Sequence, residues 1–470
     1  MMNESPKKLS SKEKWILFFI LIVAAFLRFY DLESESLWND ELSTWKRASL
    51  SNVSETIQFS RKYDVHPAGY QVFMHVWVKT FGDSEKSLRT PSAIAGLFAV
   101  LLIFLFTRKI FTTQIALASS WFLAISWFPL YYAREARSYS LLLMAALLIV
   151  WIGELYLKHK SKWYGILLGF CLLLAAYLHY FGLLFAVGYM VFMILRSASI
   201  KAHIIPLSIF IIGYLPWLPY LFLQQGYGPI YITLPSFFDF FRWIRLVLAN
   251  SNLVLLLFSL TFAFAVFKKN HAFQSPISFW MLSLWLFLPW VIAYIISAFL
   301  FPVLTFPNMI IALPAMLILL AAVPLMVSHS RVLFLGWILI VTSFNIYDLF
   351  FDRQFFHSPQ KQEIREAVYH LNQEANVDEL IFVTAWDIDY LNYYLNHFGS
   401  DLHATSLIYE ESDLSKIKSA LENENHTQFW HIILHRRPQD ALQVRLEEEF
   451  QRSQQKEFRG AKVSRYMMRK

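Results

Sequence analysis

From residue 15 to residue 350 the chain alternates long apolar runs with short polar connections. A helix crosses a bilayer with about 20 apolar residues, in a range of about 17–25. By that measure the pattern predicts about eleven spans, near residues 15–30, 91–107, 113–130, 139–157, 163–180, 182–195, 203–223, 246–267, 276–300, 307–327 and 331–350. The runs 163–180 and 182–195 almost touch, with Phe181 and Gly182 at their junction. Residues 31–90 form one long external segment. Within it, Val72, Phe73, Val76, Trp77 and Phe81 recur at helical spacing, with Gln71, His75 and Lys79 opposite. Residues 70–81 are too short to span, and the spacing predicts an amphipathic helix lying in the interface.

The period changes after Phe350. Residues 352–470 are polar and charged, and they alternate helical and strand patterns: helix Ile364–Leu371, strand Leu380–Thr384, helix Asp389–Leu395, strand Ala404–Tyr409, helix Asp413–Leu421, strand Phe429–Leu434, helix Asp440–Phe450 and a last strand Lys456–Met467. Such alternation predicts an α/β layer with a mostly parallel sheet. The segment carries no Gly-x-Gly-x-x-Gly and no P-loop. The expected fold class is a polytopic α-helical membrane protein with a C-terminal extracytoplasmic α/β domain, divided as residues 1–351 and 352–470.

Composition agrees. Of 470 residues, 57% are hydrophobic and 16% charged, with mean hydropathy +0.43. Soluble domains run at roughly 45–50% apolar and about 25% charged. The net charge of +7 does not point to nucleic acid, because much of the basic excess sits in short loops. Lys7 to Lys14, Arg108-Lys109, Lys158 to Lys162, Arg196 with Lys201, Lys268-Lys269 and Arg331 fall on alternate connections. The positive-inside rule places these in the cytoplasm. The N-terminus is then inside, with an uncleaved first span, and the Asp40 loop, the Arg134–Arg137 loop, the 224–245 loop and the tail lie outside the inner (plasma) membrane. The 224–245 loop is a candidate lid. The single cysteine, Cys171, makes no disulfide framework.

Three external segments carry candidate chemistry: Leu37-Trp38-Asn39-Asp40-Glu41, then Asp64-Val65-His66-Pro67-Ala68, then Tyr132-Ala133-Arg134-Glu135-Ala136-Arg137-Ser138-Tyr139. Adjacent carboxylates beside a membrane suit a general base acting on a membrane-borne substrate. Solvated loop carboxylates with aromatic anchors present the same pattern. Guanidiniums fork onto phosphate oxygens, and Arg134 and Arg137 equally suit a surface pair with Glu135. His66 with Asp64, or Asp40 with Glu41, has ligand chemistry for a divalent ion, but the spacing selects no geometry, so no metal or other cofactor is assigned.

With Phe81-Gly82-Asp83-Ser84, Leu88-Arg89-Thr90-Pro91-Ser92 and His179-Tyr180, these motifs resemble bacterial GT-C membrane glycosyltransferases. The nearest groups are the PMT-like proteins and the aminoarabinose transferases of lipid A, and the resemblance covers Arg28 to about Pro314. It implies a polyprenyl-phosphate-sugar donor and an extracytoplasmic acceptor, which is a lipid, a glycan or a protein. It also implies inverting transfer with Asp40 as base. Glu41 is then an accessory or acceptor-binding carboxylate, and Glu135 the acidic residue of the second catalytic loop. His66, Arg134, Arg137 and Arg89 are implied as donor-phosphate ligands, with Arg89 also suited to anchoring at the interface. His66 stands where aminoarabinose transferases tend to carry lysine. Relatives also carry Arg-Tyr before the late Leu-Pro span, where this chain has Phe306-Pro307-Asn308-Met309. A transporter or flippase of lipid-linked sugars is the main rival. It calls for mid-membrane charges and an internal repeat, whereas here the charges collect in the external loops.

Overall fold

In the computed structural model, residues 8–224, 233–267, 276–407, 412–435 and 441–469 are described. Residues 225–232 of the expected lid lie outside that set, as do Lys7, Lys268 and Lys269, whereas its end forms the start of helix Asp239–Val247. The chain divides into two compact units, residues 1–32 with 47–354 and residues 33–46 with 355–470. Residues 33–46 thus pack with the tail, although the sequence pattern groups them with the membrane part.

The first unit is helical. Among the described residues, seven helices are long and apolar enough to cross a membrane, and up to nine if two bent pairs each count as one span. The expected segment at 15–30 lies on the helix Ser11–Phe29. The one at 163–180 lies on Lys162–Leu178, a shorter apolar helix. The segment 113–130 is not one straight rod: Thr113–Ile125 and Trp127–Ala133 meet at 59°. Pro129 lacks the amide that would bond Ile125, four residues back. Near this break Arg28 donates to the carbonyls of Leu123 and Ala124, each at 3.0 Å. The segment 246–267 is likewise a pair, Asp239–Val247 and Asn252–Val266, bent by 102°.

The close-set pair turns on one residue. Lys162–Leu178 ends and Tyr180–Ser197 begins at His179, whose backbone is extended (φ −166°, ψ 149°). The imidazole caps the second helix by accepting from the Phe181 amide at 3.1 Å. Gly182 makes the reversal possible: a Cβ there would lie 1.9 Å from the carbonyl oxygen of Ala175.

The short amphipathic helix spans Gly69–Phe81. Gln71 and His75 of its polar stripe face the protein, while Lys79 is exposed. Gln71, Met74 and His75 are buried, while Phe73, Val76 and Phe81 are exposed. The buried polar groups have partners: Gln71 Nε2 donates to Asp64 at 3.4 Å, and His75 Nδ1 bonds the Ala48 carbonyl at 2.9 Å. An outward apolar stripe suits a helix bathed in the interface. The helix is seated at Gly69, where a Cβ would come 2.6 Å from the carbonyl oxygen of Tyr177.

The second unit contains a five-stranded sheet of β1 (Leu380–Thr384), β2 (Thr405–Leu407), β3 (Gln428–Ile433), β4 (Phe450–Phe458) and β5 (Ala461–Met468), in the order β2-β1-β3-β5-β4. Strands β2, β1 and β3 are parallel, whereas β5 and β4 are antiparallel additions. The sheet is therefore mixed. The expected single last strand is a hairpin, turned at Gly460 with φ +72°. Helices Ile364–Glu374, Asp389–His397, Ser412–Asn423 and Ala441–Glu449 match the predicted ones. Phe382, Phe429, Tyr466, Ile417 and Leu446 share the core.

The reversal at His179 yields a prediction. Gly182→Ala forces a methyl into a backbone carbonyl and lowers stability by about 3 kcal/mol, the upper range for overpacking. Thermal unfolding of the detergent-solubilised protein reads this as a lowered midpoint, and an unchanged midpoint contradicts the close approach.

Candidate functional site

The helical unit gathers several polar residues where helices end. Helix Val53–Tyr63 ends at Asp64. The buried Asp64 carboxylate accepts from the His66 amide at 3.2 Å and meets Arg47 Nε at 3.3 Å. It also accepts from Gln71. This network fixes the tight turn Asp64-Val65-His66-Pro67 and aims His66 at His179, with ring centroids 4.5 Å apart. Tyr139, at the start of helix Tyr139–His159, lies 6.1 Å from His179 on its other flank. The Arg137 guanidinium lies 6.0 Å from the Tyr139 ring centroid.

Two ring nitrogens in this cluster are buried without a hydrogen-bond partner among the described residues. Nδ1 of His179 accepts a backbone hydrogen bond, so it carries no proton and the ring's N–H is on Nε2. That Nε2 is buried and has no hydrogen-bond partner among the described residues, and the same holds for Nδ1 of His66. An orphaned buried donor is costly, and a hydroxyl or phosphoryl oxygen would satisfy it. Burial, then the positive charges of Arg137 and Arg47, push the His66 pKa down to about 3. At neutral pH His66 is therefore a neutral hydrogen-bonding group, and Arg47 and Arg137 carry the positive charge.

The other expected arginines are occupied with backbone. Arg134 is buried and donates to the carbonyls of Tyr30, of Asp31 at 2.9 Å and of Leu27 at 3.4 Å. Arg89, also buried, donates to the Leu32 carbonyl at 2.7 Å. Both close off the chain that leaves helix Ser11–Phe29. Glu135 is buried within the loop between Trp127–Ala133 and Tyr139–His159. Its carbonyl accepts from the Arg137 amide at 2.8 Å, and Ser92 bonds the Arg137 carbonyl at 3.0 Å.

Asp40 and Glu41 belong to the other unit, in the first turn of helix Asn39–Ala48. Asp40 is half-buried, and its side chain accepts from Asn39 at 3.4 Å. Glu41 is wholly buried, and Lys361 Nζ lies 3.3 Å from its carboxylate. Among the described residues, no group of three or more His, Cys, Asp and Glu side chains converges as a cation site.

Next to the cluster lies an apolar recess of about 390 Å³. Gly69, Phe73, Trp77, Phe98, Met144 and Tyr177 are among its lining residues. Gly69 and Tyr177 are close in sequence to His66 and His179.

Arg47 and Asp64 were not singled out as donor ligands by sequence reasoning, and His179 has the look of an ordinary interface histidine. The available signal was that all three sit at or near helix ends.

A family model described as dolichyl-phosphate-mannose-protein mannosyltransferase matches residues 65–221, a stretch that holds His66, Arg137, Tyr139 and His179. No curated protein sequence matches. Among solved structures, ArnT from Cupriavidus metallidurans in the apo state superposes with a TM-score of 0.57 at 11% identity, covering 97% of this chain and 98% of that one. The same protein bound to undecaprenyl phosphate gives 0.54 at 11% identity over the same shares. The oligosaccharyltransferase of Archaeoglobus fulgidus in its apo form gives 0.52 at 12% identity, over 89% of this chain and 69% of that one. The fold is thus similar to those of ArnT and of the archaeal oligosaccharyltransferase.

The low pKa of His66 has a direct readout. In a titration of histidine-labelled protein followed by NMR, the His66 signals should stay fixed from pH 8 to pH 5, where an ordinary histidine with a pKa of about 6.5 moves. Movement centred near that value would show that the ring is not buried beside Arg137 and Arg47.

Proposed function

We propose that this chain is an integral membrane glycosyltransferase. It transfers a sugar from a polyprenyl-phosphate donor to an extracytoplasmic lipid, glycan or protein acceptor, with inversion. The observation that carries this reading is the polar cluster of Arg47, His66, Arg137 and His179, built on helix ends in a GT-C-type chain. The undecaprenyl phosphate held by the similar ArnT structure is consistent with a lipid phosphate as the leaving group.

The reaction follows from the donor's chemistry. A base removes the proton from the acceptor hydroxyl or amine, and the freed lone pair attacks the anomeric carbon from the face opposite the phosphate. The anomeric C–O bond breaks, and its electrons leave with polyprenyl phosphate. The configuration inverts because attack and departure are in line. Phosphate is already a good leaving group, so a general acid is dispensable and positive charge to receive the departing oxygens is the main requirement. Arg47 and Arg137 supply that charge, while neutral His66 and the Nε2–H of His179 supply hydrogen bonds. Arg134 and Arg89, engaged with carbonyls, contribute packing. The apolar recess suits the first isoprene units. Asp40 is the base and Glu135 an acidic residue of the second loop. The cluster and the acceptor lie on the extracytoplasmic face, with the N-terminus in the cytoplasm.

Two substitutions test this in membranes supplied with radiolabelled polyprenyl-phosphate sugars and acceptor extract. Asp40→Asn should cut transfer roughly 10²–10⁴-fold at normal protein level, the worth of a general base. Unimpaired transfer by Asp40→Asn removes Asp40 from the chemistry. Absence of transfer by wild type from every donor redirects attention to translocation of lipid-linked sugars. Arg137→Gln should raise the donor KM about 10-fold, since it deletes a charge-assisted contact. A KM unchanged by that substitution places the donor phosphate elsewhere.

A further inference from the structure

Residues 33–46 carry the proposed base, and the tail domain grips them almost residue by residue. Arg365 donates to the carbonyls of Glu33 and Ser34, both at 2.8 Å. The Glu35 carboxylate accepts from the amides of Gln360 and Lys361. Ser36 Oγ donates to the Gln362 carbonyl at 2.6 Å and accepts from the Ile364 amide at 3.0 Å. The Leu37 amide donates to the Tyr394 hydroxyl at 2.6 Å. The Asn39 amide, first in its helix, donates to Gln362 Oε1 at 3.1 Å. Leu37 and Leu42 are fully buried. Trp45 packs edge-on against Tyr393 at 4.7 Å, and Lys46 pairs with Asp387 and Asp389.

At the centre stands the pair Glu41–Lys361. The Lys361 side chain is 2% exposed and Glu41 is not exposed at all. A desolvated pair tolerates little displacement, because removing either partner leaves an uncompensated buried charge. Glu41 also reaches back to the Trp38 amide at 3.4 Å, fixing the helix start in the manner of a capping box. Asp40 is the preceding residue, so the position of Glu41 sets that of Asp40. Gln362 is itself braced by the final hairpin. A Cβ at Gly460 would lie 2.7 Å from Gln362 Cγ, and the Glu363 amide donates to the Arg459 carbonyl at 2.9 Å.

We infer that the C-terminal domain is the device that positions the Asp40 helix, with Lys361 and Tyr394 as positioning residues for transfer. This rests on Asp40 being the base. It gives the domain a role in turnover independent of acceptor choice, and it makes Glu41 the anchor of its neighbour and not a contact of the acceptor.

The test uses the full-length protein in detergent or proteoliposomes, with two readouts: transfer kinetics, and hydrogen–deuterium exchange of the amides of residues 37–46. Lys361→Met should raise exchange across 37–46 and lower kcat about 10²-fold, the scale of a misplacement near 1 Å. The donor KM should stay within about twofold, because ground-state donor binding is untouched. Lys361→Arg, which keeps the charge, should recover most of kcat. Tyr394→Phe removes one hydrogen bond, and about a 5-fold loss of kcat is expected; it also serves if Lys361→Met does not accumulate. Unchanged exchange in both variants overturns the clamp. Raised exchange with full kcat, where Asp40→Asn is inactive, overturns the positioning role and leaves the base assignment standing. Full activity of Asp40→Asn removes the base assignment, and the inference with it.

Discussion

Inside a bilayer a backbone carbonyl or amide without a partner costs several kcal/mol. Helix ends and breaks in this chain must therefore be closed by side chains. The membrane unit solves this with a few buried polar residues. Arg28 takes the carbonyls of Leu123 and Ala124 beside the break at Ser126. Arg134 and Arg89 take those of the chain leaving the first helix. His179 closes the turn between two apolar helices. Polar side chains are concentrated where helices stop, and the candidate site is assembled from the same stock. His179 belongs to both sets: one ring nitrogen caps a helix, and the other is buried without a hydrogen-bond partner among the described residues.

That economy explains why the Arg-Glu-Ala-Arg loop divides its labour. Its two arginines are three residues apart on a short turn, so they point to different surroundings. Arg134 is drawn to carbonyls that would otherwise be bare. Arg137 is left over Tyr139, and its charge reaches His66. The motif alone gives no basis for telling which arginine is which, because both have the same chemistry and the difference lies in what the first helix leaves unsatisfied nearby.

The apolar helices were legible because apolar length is a one-dimensional property, although seven to nine of the described helices qualify as spans where eleven were expected. The reversal at His179 was not, since it depends on Gly182 meeting a carbonyl seven residues earlier. The helix Gly69–Phe81 was placed correctly, but its inward face is set by partners for Gln71 and His75 that lie in other segments. In the tail, the buried strands announced themselves by apolar runs. Strand β4, Phe450–Phe458, did not: its sequence is almost all polar and most of it is exposed at the sheet edge. A strand held by backbone bonds to one neighbour needs no hydrophobic pattern. Of the candidate site, Asp40, His66, Glu135 and Arg137 stood out as charged or polar residues in aromatic external loops. Arg47 hid in a basic stretch, and Lys361 hid in a polar linker as a lone lysine of the commonest kind.

Lys361 carries the larger physical lesson. A buried lysine–carboxylate pair is a poor way to gain stability, because desolvation consumes most of the attraction. A leucine facing a leucine would hold the same two segments with less penalty. It would also let them slide, since apolar contacts are non-directional. Glu41 and Lys361 meet at one register only, and so do the hydrogen bonds from Tyr394 and Gln362 to the amides of Leu37 and Asn39. A contact chosen for register suits a segment whose next residue must stand in one place. The surroundings agree: each anchor sits on a linker strand or helix face fixed in turn by the sheet, the hairpin turn at Gly460 pressing on Gln362 and the helix Asp389–His397 presenting Tyr394. Rigidity therefore passes from the core of the tail to the first turn of the Asp40 helix through directional contacts.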